Sequence, residues 1–149
     1  MIKINTVLAA AMLWAIHMNA TCGTPACPVA QAIRAESALS NMQKWDDAIV
    51  YYKQYKACLD GGISEGFTDF LATKLAEDAG PRMFWEATRH HRWFRSIVAT
   101  RMQSEIIPLQ TTESILQNLY SQCPSSAKTF CQKLHHQIVK SCPACKSNQ

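Results

Sequence analysis

The sequence predicts an all-α fold in which five or six antiparallel helices form a bundle or a two-layer stack, tied by disulfides and preceded by an N-terminal signal peptide. Three observations support this prediction. Apolar residues recur at spacings of three and four, no segment shows sustained alternation of apolar and polar residues, and the 149 residues include seven cysteines. Short connectors between the predicted helices favour antiparallel neighbours.

Residues 1–20 have the pattern of a signal peptide. A lysine near the start is followed by an almost uncharged apolar run from Ile4 to Met18, and Asn19-Ala20 provides a small residue for cleavage. We expect cleavage after Ala20 and one helical domain over residues 21–149. The run of about 15 apolar residues is shorter than the ~20 that a membrane-spanning helix needs. A signal anchor and lipidation of Cys22 are the alternatives.

The first helical region is predicted between Val29 and Asp60. Residues 21–28 contain two prolines and a glycine, which are typical of a loop. One apolar stripe, interrupted only by Lys56, continues to Gly61-Gly62, so we expect one long helix or a closely broken pair. The stripe comprises Ala35, Ala38, Met42, Trp45, Ile49, Tyr52 and Leu59.

Three helices are predicted in the middle of the chain. The first starts near Ser64, whose hydroxyl can cap free backbone amides, and is expected to stop at Gly80-Pro81. A short helix follows from Arg82 to Thr88. Another runs from about His91 to Gln103.

Two more helices complete the predicted fold. Pro108 interrupts the chain before Thr112, which is expected to cap the next helix, and the last helix spans Ser126 to Lys140. The apolar residues that these helices contribute to the predicted core are Ile63, Phe67, Phe70, Leu71, Leu75, Met83, Phe84, Trp85, Ala87, Phe94, Ile97, Val98, Ile115, Leu116, Leu119, Phe130, Leu134 and Ile138.

All seven cysteines follow the predicted cleavage site. In an exported chain this number favours disulfides over free thiols or metal ligation, because the compartment is oxidising. Three bridges and one remaining thiol is the simplest count. The candidate pairs are Cys123 with Cys131, Cys142 with Cys145, and Cys27 with Cys58, the last of which would clamp the ends of the first helical region.

The segment Cys142-Pro143-Ala144-Cys145 has the spacing of thiol oxidoreductases. In those enzymes the motif follows a strand and opens a helix, whereas here it follows the last predicted helix, so a structural bridge is favoured over redox catalysis. Together with Cys123, Cys131, His135 and His136 the pair could ligate zinc. The separations match no zinc ribbon or finger, and we expect no metal or other cofactor.

The sequence favours a binding protein over an enzyme. No signature of a catalytic nucleophile surrounds a lone cysteine. The neighbouring carboxylates Asp46-Asp47 and Glu77-Asp78 would point about 100° apart on a helix, which disfavours an acid/base pair. An enzyme of unrecognised type is the alternative.

Charge is segregated along the chain. Residues 34–78 contain eight acidic and five basic residues, a net charge of −3, whereas residues 79–149 contain three acidic and nine basic residues, a net charge of +6. The basic residues are densest between Arg82 and Arg101, where only Glu86 opposes them. The candidate binding residues in this stretch are Arg82, Trp85, Arg89, Arg92, Trp93, Arg95 and Arg101.

Arginines interleaved with tryptophans suit a protein partner that has an acidic surface, because guanidinium groups stack on aromatic rings and bind carboxylates in a forked geometry. An anionic glycan or a lipid head group would use the same chemistry. The structural alternative places Phe84, Trp85 and Phe94 in the core and leaves the arginines as a solvated face. The modest overall charge of +4 disfavours nucleic acid.

Two short motifs carry a resemblance to known proteins. The segments Cys58–Phe67, CLDGGISEGF, and Cys123–Cys131, CPSSAKTFC, resemble small secreted or periplasmic all-helical bacterial proteins. Some of these are immunity proteins that neutralise imported cell-wall-degrading toxins. The resemblance extends in layout over most of the mature chain. It implies an exported protein that acts through protein–protein contacts, as an immunity or accessory protein, and it transfers no functional residue.

Overall fold

The computed structural model describes residues 27–146, which form seven α-helices and three short 3₁₀ turns without a strand. The helices are α1 Val29–Ser40, α2 Trp45–Tyr55, α3 Gly61–Ala76, α4 Gly80–Ala87, α5 Arg92–Arg101, α6 Leu109–Ser121 and α7 Lys128–Ser141. The 3₁₀ turns are Lys56–Cys58, Ser125–Ala127 and Ala144–Lys146. The all-α prediction is confirmed. The predicted signal peptide and Cys22 lie outside the described residues.

Seven helices are present in residues 27–146, not five or six, because the first helical region is the broken pair α1 and α2. Asp47 in the first turn of α2 accepts backbone hydrogen bonds from Gln43 (3.0 Å) and Lys44 (3.1 Å). These bonds satisfy amides that a new helix leaves without intrahelical partners. They also hold the pKa of Asp47 below its ordinary value, since they stabilise the carboxylate.

Helix α3 begins three residues earlier than predicted. The carboxylate of Asp60 accepts a hydrogen bond from the backbone N–H of Gly61 (2.8 Å), so Asp60 caps the helix and Ser64 lies within it. Gly61 has a φ of +46°, a left-handed conformation that glycine adopts without steric cost. The predicted stop at Gly61-Gly62 is therefore also the start of the next helix.

The prediction that Gly80-Pro81 stops a helix and that Thr112 caps one was wrong in both cases. Helix α3 already ends at Ala76, and Gly80-Pro81 opens α4, where the missing N–H of proline costs no intrahelical hydrogen bond. Helix α6 begins at Leu109 after the extended Pro108, and the Thr112 hydroxyl donates to the Pro108 carbonyl (3.1 Å) from inside the helix. In both cases proline precedes or opens a helix.

The core forms around α3 and α6, which pack against each other, with α7 also packed on α6 and with α1 and α4 on α3. Phe67, Phe84 and Phe94 are at most 1% exposed. The buried Asn118 of α6 donates to the carbonyls of Ala76 and Glu77 (2.9 Å each), which satisfies the free carbonyl end of α3. Met83, predicted to face the core, is 47% exposed, because α4 turns that side chain outward.

The three predicted disulfides are confirmed. Cys27 pairs with Cys58, Cys123 with Cys131, and Cys142 with Cys145, with Cα–Cα distances of 4.9, 6.3 and 5.3 Å. The first joins the residue before Pro28, the N-cap of α1, to the turn after α2, and the second joins the segment after α6 to α7. Within residues 27–146, no helix is long and apolar enough to cross a membrane.

Tyr51 of α2 buries a hydroxyl group that has no hydrogen-bond partner among the described residues. Its ring lies 5.3 Å from that of Phe67 and 5.1 Å from that of Tyr55, and the residue is 3% exposed. Burial raises the pKa of Tyr51 to about 12, with a smaller contribution from Tyr55. The hydroxyl therefore costs desolvation energy that no bond to the described residues offsets.

Tyr51→Phe is expected to raise the free energy of unfolding by up to about 1 kcal/mol at pH 7. The unfolded tyrosine ionises near pH 10 and the folded one near 12. Wild-type stability therefore falls as the pH rises between these values, and the phenylalanine variant lacks this loss. The advantage of the variant should grow by roughly 1 kcal/mol between pH 9 and pH 11. Urea unfolding followed by circular dichroism measures both quantities, and an advantage that stays constant with pH would contradict this account.

Candidate functional site

Arg95 of α5 is held against the end of α4. Its Cζ atom lies 3.6 Å from the centre of the Trp85 ring, and its Nε and Nη2 groups donate to the hydroxyl and carbonyl oxygens of Thr88 (3.0 Å each). Thr88 is fully buried, and its hydroxyl donates to the carbonyl of Phe84 (2.7 Å). Stacking and two hydrogen bonds at a helix carboxyl end thus hold the guanidinium in one orientation.

Four candidate residues come together around this contact. Trp85, Arg89, Arg92 and Arg95 line an open hollow of about 620 Å³, which we call the arginine hollow. Its fifth lining residue is Ser126, an exposed residue of the 3₁₀ turn before α7. The hollow therefore lies where the α4–α5 connection meets the start of the last helical segment.

The arginine hollow carries excess positive charge. Arg89 pairs with Glu86 (2.8 Å), but both side chains are more than half exposed, so this surface pair contributes little stability. Within residues 27–146, the Arg92 side chain forms no ion pair or hydrogen bond, and the residue is exposed. Burial, and secondarily the charge of Arg92, lower the pKa of Arg95 from its ordinary value. An anionic group would relieve this repulsion.

Three of the predicted binding residues lie away from the hollow. Arg82 is exposed on α4 and is not part of its lining. Arg101 donates to the hydroxyl of Ser64 and, at 3.3 Å, to that of Thr68, so it links α5 to α3. Trp93 packs towards α2, with its ring 5.7 Å from that of Tyr52. Arg101 is therefore a structural tie, and Trp93 belongs to a different surface.

The surface around Trp93 is aromatic and weakly cationic. His91 lies 6.4 Å from Trp93 between ring centres, and the Lys53 ammonium lies 5.9 Å from the centre of the Trp93 ring. Trp93 is 40% exposed, whereas Phe84 and Phe94 are buried, as the structural alternative for those two residues predicted. Trp85 combines both roles, since one part of it packs on Phe130 (6.0 Å) and another lines the arginine hollow.

The cysteine and histidine residues near the carboxyl end form no metal centre in the described part of the chain. Cys123, Cys131, Cys142 and Cys145 are oxidised in two bridges. No group of three or more His, Cys, Asp or Glu side chains within residues 27–146 is placed to hold a metal ion. A thiolate site for zinc would first require reduction of these bridges.

The sequence contains one motif that is typical of a serine nucleophile, but the structure around it is not that of a nucleophile site. The segment Gly62-Ile63-Ser64-Glu65-Gly66 reads as Gly-x-Ser-x-Gly. A nucleophile elbow needs a sharp turn between a strand and a helix. Here the segment lies within α3, the described chain contains no strand, and the Ser64 hydroxyl accepts the hydrogen bond from Arg101. The pattern does not form a nucleophile site.

Two residues of the site had no signal in the sequence. Ser126 enters the arginine hollow because Phe130 of α7 packs on Trp85, and this contact spans 45 positions. Thr88 binds Arg95 seven positions away, across the α4–α5 connection. The spacing of three between Arg92 and Arg95 does indicate a shared helix face.

The chain matches no protein-family model, no curated protein and no solved structure.

Proposed function

We propose that this chain is an exported helical binding protein whose arginine hollow accepts acidic side chains of a protein partner. The observation that carries the proposal is the convergence of Arg89, Arg92 and Arg95 around Trp85, with Glu86 as the only carboxylate paired to any of them within the described residues. Export is supported by three disulfides, which form and persist in oxidising compartments.

The chemistry of the hollow favours carboxylates of a folded protein. Arg95 donates two of its five N–H groups to Thr88, so its remaining donors are available to a ligand, and Trp85 offers an aromatic surface beside them. A cluster of three guanidinium groups is small for a polyanion that binds by neutralising many charges. A local acidic patch that includes an apolar contact matches the size and composition of the hollow better.

A finer proposal concerns the biological role. An immunity protein would present the arginine hollow to acidic residues in the active cleft of a toxin and block that cleft. A periplasmic accessory protein would use the same hollow to hold an acidic surface during assembly. Both roles require a stoichiometric protein partner and no catalytic step by this chain, and they differ in whether the partner loses an enzymatic activity when bound.

Arg89→Glu/Arg92→Glu is expected to weaken binding of the partner at least about tenfold, because it places two carboxylates opposite an acidic surface. The partner is first isolated from an envelope extract of the producing bacterium with the wild-type protein as bait. Its affinity for purified wild-type and variant proteins is then measured by calorimetry at low and high salt. Wild-type affinity should fall with salt.

The matched control is Arg34→Glu/Lys140→Glu, which makes the same charge change at two exposed positions on α1 and α7 outside the hollow. This control should retain most of the wild-type affinity. Equal affinities for the hollow variant and the wild type would refute the proposal. So would tighter binding to heparin or to phosphatidylglycerol vesicles than to any protein, since these probes represent the glycan and lipid alternatives.

A further inference from the structure

The Cys142–Cys145 bridge differs from the other two disulfides in what it connects. Its cysteines are three positions apart, whereas the separations are 31 for Cys27–Cys58 and eight for Cys123–Cys131. Cys142 is the residue after α7, and Cys145 lies in the final 3₁₀ turn. A bridge within one turn restricts the unfolded chain least and holds no two helices together. Opening it would break no covalent link between helices, so we expect the packing of α1 to α7 to be retained.

The two cysteines of this bridge differ in exposure. Cys142 lines a groove of about 570 Å³ between residues 102–112 and the end of α7. Cys145 is 4% exposed and does not line the groove. A thiolate that enters the groove therefore meets Cys142 and not Cys145. Defined access to one sulfur is a requirement of directed thiol–disulfide exchange.

The turn itself places a hydrogen-bond donor at the sulfur of Cys142. The backbone N–H of Cys145 donates to Sγ of Cys142 over 3.2 Å. Thiol–disulfide exchange has two steps, and Cys142 is the leaving group of the second. The N–H group stabilises the negative charge that Cys142 then carries as a thiolate. In thiol oxidoreductases the amino end of a helix has this role. The motif here follows a helix, and the amide of the turn takes the place of the missing helix end.

The walls of the groove are suited to a polypeptide. Ile106 and Leu109 are 50% and 44% exposed, and Ile107 and Pro108 lie between them. These four consecutive apolar residues line the same open groove as Cys142. An unfolded polypeptide offers apolar side chains next to its cysteines, whereas glutathione does not. We therefore expect the groove to favour a protein thiol over a small thiol.

We propose that Cys142–Cys145 is a thiol–disulfide exchange site whose substrate is a polypeptide with two reduced cysteines bound along the Ile106–Leu109 wall. A substrate thiolate attacks Sγ of Cys142, the S–S bond breaks, and Cys145 takes up a proton. The second substrate thiolate then attacks the substrate sulfur of the mixed disulfide, and Cys142 leaves as a thiolate and takes up a proton. The substrate is oxidised to a disulfide, and the protein is reduced to two thiols. The reaction involves no residue of the arginine hollow.

The proposal is tested by a single-turnover oxidation of two synthetic peptides, each with two reduced cysteines, one flanked by leucines and the other by serines. Oxidised hexapeptide Ser-Cys-Pro-Ala-Cys-Lys, the sequence of residues 141–146, is the reference oxidant. Quenching with an alkylating reagent and mass spectrometry follow each disulfide. The intact protein should oxidise the leucine peptide about tenfold or more faster than the hexapeptide does, because binding holds the sulfurs together.

Variants separate the groove from the bridge. Ile106→Ser/Leu109→Ser should remove the advantage of the leucine peptide over the serine peptide, whereas Tyr120→Ser, at a 90% exposed position on α6, should retain it. During the turnover, Cys27–Cys58 and Cys123–Cys131 should stay oxidised and the helical circular dichroism should persist. Equal rates for the protein and the hexapeptide, or reduction of all three bridges together, would overturn the proposal.

Discussion

Gly80→Ala is expected to lower the free energy of unfolding by about 3 kcal/mol. An alanine Cβ at this position would lie 2.4 Å from the carbonyl oxygen of Lys74 and 2.6 Å from that of Leu75. Both contacts are with the backbone of α3, so rotation of a side chain cannot relieve them. The amino end of α4 or the carboxyl end of α3 has to move, and the packing between the two helices is lost with it.

The matched control is Gly62→Ala, at a position where an added Cβ meets nothing within 4 Å and the backbone needs no left-handed conformation. Alanine should there stabilise α3 by about 0.5–1 kcal/mol, because it loses less conformational entropy than glycine. Urea unfolding of the wild type and of both variants by circular dichroism provides the comparison. Similar midpoints for the two variants would show that α3 and α4 do not approach as closely as described here.

Removal of the Cys27–Cys58 bridge by replacement of both cysteines with alanine is expected to cost about 3–4 kcal/mol. The bridge closes a separation of 31 residues and holds the segment before α1 to the turn after α2. Without it the unfolded chain gains the entropy of that loop. Cys58 is also 2% exposed, so its replacement removes buried sulfur contacts.

Cys142→Ala/Cys145→Ala is the matched comparison, with an expected loss of about 2 kcal/mol or less because its loop is much shorter. Both variants are unfolded by urea under non-reducing conditions, and mass spectrometry confirms that the remaining bridges have formed. A loss at Cys142–Cys145 as large as that at Cys27–Cys58 would indicate a role for the short bridge in tertiary stability. It would also contradict the expectation that this bridge opens while the fold is retained.

The arginine hollow depends on packing more than on local sequence. Arg95 is oriented by Trp85 and Thr88, and Trp85 is in turn supported by Phe130 of α7. The dense run of arginines predicted a candidate binding surface, but spacing alone did not distinguish Arg95 from Arg101. The first is part of the hollow, and the second links α5 to α3 through Ser64. Both arginines lie on α5, and the helices packed against α5 decide which of them lines the hollow.

Helix boundaries also depend partly on local sequence and partly on the surrounding structure. Most helices were predicted within a few residues, because a periodic apolar stripe and a polar cap are local features. Gly80-Pro81 was misassigned, because proline both ends helices and occupies their first turn, and local sequence does not separate these cases. Asp60 and Asp47 acquire their capping roles from the conformations of the turns around them.

The amino-acid sequence predicted the helical fold class and supplied three candidate cysteine pairs, which the structure confirms. Helices follow from the period of apolar residues, and these pairs are close in sequence or span one helical region. The composition of the arginine hollow and the exposure of Cys142 in place of Cys145 followed only from the folded structure. They depend on contacts among segments far apart in the chain, such as Trp85 with Phe130, which no local pattern encodes.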